Sequence, residues 1–316
     1  MKLLVTGGLG FIGMNFINYW LSRHDDTIIN LDKVTYASND PVFLSHVNEK
    51  NYKFIKGDII DAELIDNITR EVDAIVHFAA ESHVDNSISD SRIFVKSNII
   101  GTHNLLEAAR KYEKRIHHIS TDEVFGSLEL DSTEKFTEHS CYSPKNPYSA
   151  TKAAADHLVN AYVNTYGIKA TLSNCSNNFG PLQHPEKLIP RTIRRLLNGE
   201  RTQLYGNGQQ IRDWIYVEDH CSAIDLILKK GKIGEHYLVG AENEKTNIDI
   251  VRSICEILGR SPEDSIEFVE DRLGHDVRYA INPGKIRKEL GWKPVFEFRK
   301  ALEETVKFYR LNYKPS

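Results

Sequence analysis

Short apolar runs alternate with amphipathic stretches from the first residues of this 316-residue chain, and that alternation restricts the fold more than any other feature. KLLVT (2–6), TIINLD (27–32), YKFIKGD (52–58), AIVHFAA (74–80), RIHHIS (115–120) and KATLSNC (169–175) read as strands. Helical patterns such as GMNFINYWLSRH (13–24) and NIIGTHNLLEAARKY (98–112) lie between several of them. Strands spaced by helices pair in parallel through crossovers, so the predicted fold is α/β, a Rossmann-type doubly wound parallel sheet. Beyond residue 175 the pattern loosens. NNFGPLQHPEKLIP is loop-like, and shorter helices (NIDIVRSICEILG, RKALEETVKFYR) sit among loops rich in Gly, Pro and charge. The expected division is a dinucleotide-type domain over 1–172 and a smaller α/β domain over 173–316, with elements of the two interleaved and the second feeding loops to the mouth of the first.

Composition removes several function classes. Net charge is −4, and no block of Lys or Arg offers a nucleic-acid or membrane footprint. Cys141, Cys175, Cys221 and Cys255 lie far apart, with no CxxC pair and no metal-ligand spacing, which suits reduced thiols in a cytoplasmic protein. The apolar start MKLLVTGG breaks at Gly7-Gly8, too early for a signal peptide. No run approaches the roughly 18 apolar residues of a membrane span. Thirteen histidines raise the question of a metal, but no HxxxH or HExxH occurs, and His117-His118 in a strand point opposite ways. No metal is expected.

VTGGLGFIG (5–13) stands between the first strand and the first helix, where a dinucleotide pyrophosphate binds in this kind of sheet. Gly8, Gly10 and Gly13 satisfy GxGxxG, and Gly7, Gly10 and Gly13 give a GxxGxxG spacing. The turn is tight, the phosphates must approach the backbone, and the helix N-terminus offers free N–H groups. Phe11 and Ile12 open that helix. Asp32 ends the second strand about 20 residues on, placed to bind ribose hydroxyls and to repel a 2′-phosphate, which favours NAD over NADP. Lys33 follows it. Asp58 and Ile59, after the third strand, are placed to border an adenine, although a plain strand-end aspartate reads almost as well. Ala79 and Ala80 end the fourth run beside the same cleft.

YSATKAAADHLVNAYVNTYG (148–167) is a strong helix pattern with Pro147 before it and Gly167 at its end. Tyr148 and Lys152 are four apart and share a face. A tyrosine needs about 4 kcal/mol to titrate near neutrality, and an ammonium ~4 Å away supplies roughly that at an effective dielectric near 20. Such a phenolate can take a sugar hydroxyl's proton. The plainer alternative is a helix-surface tyrosine beside a solvated lysine.

These stretches, with LDKVTYASN, HFAAESHVDNSI, HHISTDEVFG, NCSNNFGP, PEKLIP, YGNGQQIRDWIYVEDH and DRLGHDVRYAIN, resemble the extended short-chain dehydrogenase/reductase family over essentially the whole chain. Within it they resemble the nucleotide-sugar 4,6-dehydratases. The glycine motif and YxxxK are shared by many nucleotide-sugar enzymes. The specific part is Thr121-Asp122-Glu123, because related 4-epimerases and decarboxylases usually carry small or hydroxyl residues at the two acids. The resemblance implies bound NAD, a nucleotide-diphosphate sugar as substrate (dTDP-glucose first) and an internal redox cycle. Tyr148, sharing the hydroxyl with Thr121, would deprotonate the sugar 4-OH as hydride leaves C4 for NAD. Glu123 would remove the C5 proton, Asp122 would protonate the departing 6-hydroxyl, and hydride would return to C6. Both acids reach one ring only if the chain bends out of the strand at residue 121, since strand neighbours point to opposite faces. One acid must stay protonated near neutrality.

By the same resemblance, Ser82 would touch the sugar, and Asn177 the sugar or diphosphate. Lys187, Leu188 and the YGNG turn from Tyr205 to Gly208, Asn207 included, would line the nucleotide. Arg212, Asn247 and Arg272 would grip the diphosphate, with His275 and Tyr279 nearby; either arginine could instead form a surface salt bridge. Leu273 stands where the family usually has proline, Asn282 where it has aspartate, and the connection from Glu123 to Tyr148 is shorter than in longer members. Helices 98–112 and 148–166 carry broad Ala/Leu faces, which family members pair into a homodimer and which a single core-facing stripe would also explain. The rivals are a 4-epimerase or decarboxylase of the same fold, without need of the acid pair, and a non-enzymatic NAD sensor, which tends to lose the tyrosine or lysine that persist here.

Overall fold

The computed structural model describes residues 1–271 and 276–312. Its centre is a seven-stranded sheet built from β1 (Lys2–Thr6), β2 (Thr27–Asp32), β3 (Tyr52–Lys56), β4 (Ala74–His77), β5 (Arg115–Thr121), β6 (Ala170–Cys175) and, later in the chain, β10 (His236–Val239). Spatial order is β3-β2-β1-β4-β5-β6-β10, and every pairing is parallel. Chain order reverses between β1 and β4, which opens a crevice at the carboxyl ends of the strands, where doubly wound sheets bind ligands.

The strands read as apolar runs because both faces are covered. Leu4, Ile29, Ile75 and Ile116 pack on one face against Ile65, Leu105, Leu106 and Val159. Leu3, Val5, Ile28 and Val76 pack on the other against Phe16, Ile17 and Trp20 of the helix Phe11–Leu21 and Val217 and Ile224 of the helix Val217–Lys230. The later half of the chain adds β7 (Asn177–Phe179), β8 (Thr202–Tyr205), β9 (Ile211–Tyr216), β11 (Glu244–Thr246) and β12 (Ile266–Val269). They form a three-stranded sheet β11-β9-β7 and the pair β12-β8, around a second core of Ile189, Ile193, Trp214, Ile250, Ile254 and Leu302. Residue 172 lies inside β6, and β10 and the helix Val217–Lys230 return to the first sheet, so the two halves interleave.

Two departures from the sequence reading bear on the cleft. The run AIVHFAA leaves the sheet after His77, since Phe78–Ala80 turn to pack on the glycine loop. The helix at 102–111 is preceded by a wide π turn, Val95–Gly101, whose Asn98 donates to Glu81 O at 3.0 Å and to Thr151 Oγ1 at 3.0 Å. A strap over 127–142 crosses from β5 to the second half; Leu128 N donates to Arg278 O at 3.0 Å and Phe136 N to Ala280 O at 2.9 Å. Among the described residues, no helix is long and apolar enough to cross a membrane.

Candidate active site

The glycine loop is shaped by close approach. Gly7 has φ +71°, and a Cβ there would lie 2.7 Å from Ala79 N. A Cβ on Gly13 would lie 2.3 Å from Gly7 O and 2.9 Å from Gly8 Cα. Gly8 packs away from the cleft against Asn30, so the working spacing is Gly7, Gly10 and Gly13. Gly10 is the N-cap of the helix Phe11–Leu21 and supplies no side-chain acceptor, which leaves that helix's first N–H groups for an anion. Asp32, 7 % exposed, accepts from Leu9 N at 2.9 Å, Val34 N at 2.8 Å and Ser38 Oγ at 3.2 Å, and still lines the cleft. Three donors leave room for a ribose hydroxyl on a carboxylate with about four acceptor sites. Lys33 pairs with Asp58 at 2.7 Å. All the cofactor-side residues expected from the sequence, Ile59, Ala79 and Ala80 included, border this one cleft. A dinucleotide fits the cradle on this geometry.

The bend demanded at residue 121 is present. β5 ends at Thr121, which becomes the N-cap of a 3-10 turn Asp122–Phe125, its Oγ1 accepting from Glu123 N at 3.3 Å. The turn sends the two carboxyls to different surroundings. Asp122 is buried, and its carboxyl is pushed well above the usual range, first by burial, then by the charges of Glu123 and Asp213, against the pull of Arg212 and Thr121. Glu123 is half-buried and borders both the dinucleotide cleft and a second pocket beside it.

Tyr148 opens the helix Pro147–Tyr166, set by a capping box from Asn146 and closed by Gly167 in the left-handed region. Tyr148 and Lys152 both line the cleft. The hydrogen bond that the Lys152 ammonium makes is to the main chain. Lys152 Nζ donates to Ile119 O at 2.6 Å, while Tyr148 is pushed well above the ordinary tyrosine range by burial first and Glu123 next, with the Thr121 hydrogen bond acting the other way. A main-chain acceptor at the strand end wins the lysine because a buried ammonium needs a hydrogen-bond partner.

The second pocket gathers Asn177, Lys187, Leu188, Tyr205, Arg212, Asn247 and Tyr279 around Glu123. Ser82 and Asn177 border the dinucleotide cleft, and Lys187 Nζ donates to Ser82 O at 3.2 Å, tying the halves together. Arg212 is 5 % exposed; it lies over the Tyr279 ring at 4.3 Å and donates to Asp276 O at 2.8 Å and Ile211 O at 2.8 Å. It is therefore not a surface salt bridge. Asn207 does not join the pocket: it is exposed, and its amide oxygen accepts from Gln209 N at 3.1 Å within its own turn. Arg272, Leu273 and His275 lie outside the described residues. Asn282 accepts from Gly284 N at 2.9 Å.

Sequence reading missed the loop of Gln183, His184 and Glu186, which borders both pockets and places Glu186 3.6 Å from His83 and 3.3 Å from His184. The only local hint was the charged pair Glu186-Lys187 just before the helix Leu188–Leu197. Thr35 and Ser38 were missed for the same reason: a loop carries no periodicity. Among the described residues, no group of three His, Cys, Asp or Glu side chains is arranged to hold a metal.

A parallel sheet with this glycine cradle and a Tyr148/Lys152 pair in one cleft is the architecture of the extended short-chain dehydrogenase/reductase class. A family model described as GDP-mannose 4,6 dehydratase matches residues 4–305. The dTDP-glucose 4,6-dehydratase of Mycolicibacterium smegmatis is 50% identical over 99% of this chain and 94% of its own. The solved DesIV dTDP-glucose 4,6-dehydratase of Streptomyces venezuelae, with NAD bound, superposes with a TM-score of 0.95 at 44% identity, covering 99% of this chain and 98% of that one. UDP-glucose 4-epimerase of Thermus thermophilus has the same fold at greater distance, with TM-score 0.89, 28% identity and coverage of 98% and 99%. The chain belongs to the nucleotide-sugar 4,6-dehydratase family, among the dTDP-glucose 4,6-dehydratases.

Proposed function

We propose that the protein converts dTDP-glucose to dTDP-4-keto-6-deoxyglucose. The reading is carried by one observation: a buried, protonation-prone carboxyl and a half-buried carboxylate stand side by side at the junction of the two pockets. NAD, held by Gly7, Gly10, Gly13 and Asp32, supplies when bound an acceptor for hydride from C4, its return to C6, and a positive charge in the cleft. Tyr148, hydrogen-bonded with Thr121, takes the 4-OH proton. The resulting 4-ketone acidifies C5–H, and Glu123 removes that proton. Asp122, kept neutral by burial, gives its proton to the leaving 6-hydroxyl. Elimination requires a base and an acid at adjacent carbons, each contributing about 10²–10⁴-fold. An epimerase shares the cleft and Tyr148/Lys152 but has no use for this pair.

Arg212 serves the diphosphate from a rigid bed, since its guanidinium is already fixed by main-chain oxygens and the Tyr279 ring. Lys187, Asn177 and Asn247 complete that side. On this reading residues 1–172 hold the cofactor and 173–316 the nucleotide sugar. A homodimer through the helices Thr102–Lys111 and Pro147–Tyr166 is supported by exposed Ile93, Val95 and Ile100 on the segment leading into the first of them. Four free cysteines, three of them buried, support a cytoplasmic location. The test is mass spectrometry of products from dTDP-, UDP- and GDP-hexoses. Loss of water from dTDP-glucose is expected; epimerised product of unchanged mass would refute the reading.

A further inference from the structure

Just after β7 the chain crosses from the second half back to the first. Gln183, His184, Glu186 and Lys187 line the same cleft as the glycine loop. Partly exposed polar side chains tie this segment down. Asn15 Nδ2 donates to Pro181 O at 3.0 Å, the His184 ring meets Tyr36 edge-on at 5.4 Å, Glu186 lies 3.6 Å from His83, and Lys187 donates to Ser82 O at 3.2 Å. One further tie is apolar and buried. Leu182, 6 % exposed, clusters with Leu9 of the glycine loop and Met14 of the helix Phe11–Leu21, and Phe43 and Phe308 pack around them. Its backbone stands in the left-handed region, with φ +71°, which opposes a leucine and suits a glycine. The chain keeps leucine at a position whose backbone favours glycine, so the apolar side chain calls for a use.

We propose that Leu182 is a positioning residue that seats residues 181–187 against the glycine loop and so holds NAD in its cleft. Leu182 is buried behind the described lining of the cleft and acts through the residues that follow it. The cluster spans both halves: Leu182 and Phe308 come from the later part of the chain, Leu9 and Met14 from the first. Parting the halves to free a dinucleotide would therefore bare apolar side chains to water, which opposes opening. The use of such a hold rests on the reaction proposed above. Hydride taken from C4 returns to C6 from the same cofactor, so NADH lost between those steps would strand an oxidised sugar.

The test follows exchange of bound NAD for deuterium-labelled NAD in the holoenzyme, without sugar, by mass spectrometry of the cofactor retained after desalting. Melting temperature is measured beside it. Leu182→Gly, which relieves the backbone and removes the apolar chain, is expected to exchange at least about 20-fold faster than wild type. Leu182→Asn, a residue that also tolerates the left-handed region, is expected to exchange at least about tenfold faster and decides where Leu182→Gly does not fold. Leu182→Met keeps an apolar chain of similar size and stays within about threefold of wild type. Leu302→Ala opens a cavity in the second core, so it lowers the melting temperature while exchange stays within about threefold. In turnover, Leu182→Gly is expected to release NADH and to require added NAD, with kcat at saturating NAD within about twofold of wild type. Exchange at the wild-type rate in Leu182→Gly or Leu182→Asn, or exchange quickened as much in Leu302→Ala, overturns the proposal. A wild type that turns over no dTDP-glucose refutes the functional reading alone, because the exchange comparison contains no sugar and still decides this inference.

Discussion

Asp122 and Glu123 are adjacent in the chain and opposite in environment: Asp122 is 1 % exposed, with Oδ2 lacking a hydrogen-bond partner among the described residues, whereas Glu123 opens onto both pockets. That difference divides the labour of elimination. Asp122→Asn and Glu123→Gln are each expected to lower product formation about 10²–10⁴-fold while reduced cofactor still forms on mixing with sugar. Stopped-flow absorbance of reduced cofactor beside product mass spectrometry separates the two steps. Variants that lose both alike would place these residues in binding.

Asp122→Asn is also expected to stabilise the protein. A carboxyl whose folded pKa is raised contributes its stability below the unfolded value near 4, and loses it as pH rises toward the folded value. At neutral pH the native side chain therefore opposes folding, and an amide of the same shape does not. A melting temperature higher by about 2–4 °C at neutral pH, with the gain vanishing toward pH 4, is the expected calorimetric result. Equal melting at every pH would show Asp122 to be ionised as an ordinary aspartate.

Gly13→Ala drives a methyl to 2.3 Å from Gly7 O, and only backbone stands in its way. Titration calorimetry is expected to show NAD affinity reduced by about 100-fold or more, with the far-ultraviolet spectrum retained. Unaltered affinity would mean that the pyrophosphate is bound elsewhere.

Buried histidines set the acid limit. Burial first, and for His117 the neighbouring His118 next, hold His117 and His220 at about 3, and His236 is lowered to about 4. A histidine depressed in the fold contributes its full stability above the unfolded value near 6.5 and loses it as pH falls below that. Each costs about 1.4 kcal/mol per pH unit over that window, while raised carboxyls such as Asp122 and Asp213 regain stability and offset part of it. Among the described residues the His117 side chain bonds Thr171 Oγ1 at 2.9 Å and Ser173 Oγ at 3.1 Å, so His117→Asn is expected to flatten the acid slope by about one proton in denaturant titrations from pH 7 to about 4. An unchanged slope would mean that His117 is protonated in the fold.

Much of this was legible in the chain, for local reasons. β1 and β2 fall on the expected residues because a glycine turn ends one and Asp32 ends the other. The bend after Thr121 follows from two adjacent acids that must face one ligand. What stayed hidden depends on distant partners. Phe78–Ala80 leave β4 because Gly7 packs on Ala79, about 70 residues away in the chain. Helical spacing shows that 148, 152 and 156 share a face, but not that Lys152 reaches Ile119 O or that Asp156 gathers Ser120, Tyr142 and Asn174. Asn207 was drawn in by resemblance and excluded by its own turn.

The central claim is that Glu123 takes the C5 proton and returns one after hydride reaches C6. Its most direct test is turnover of dTDP-glucose in deuterium oxide, read by mass spectrometry and proton resonance of the product. Loss of water with deuterium placed at C5, abolished in Glu123→Gln, is the expected result. A dehydrated product that keeps its original C5 hydrogen would contradict the account.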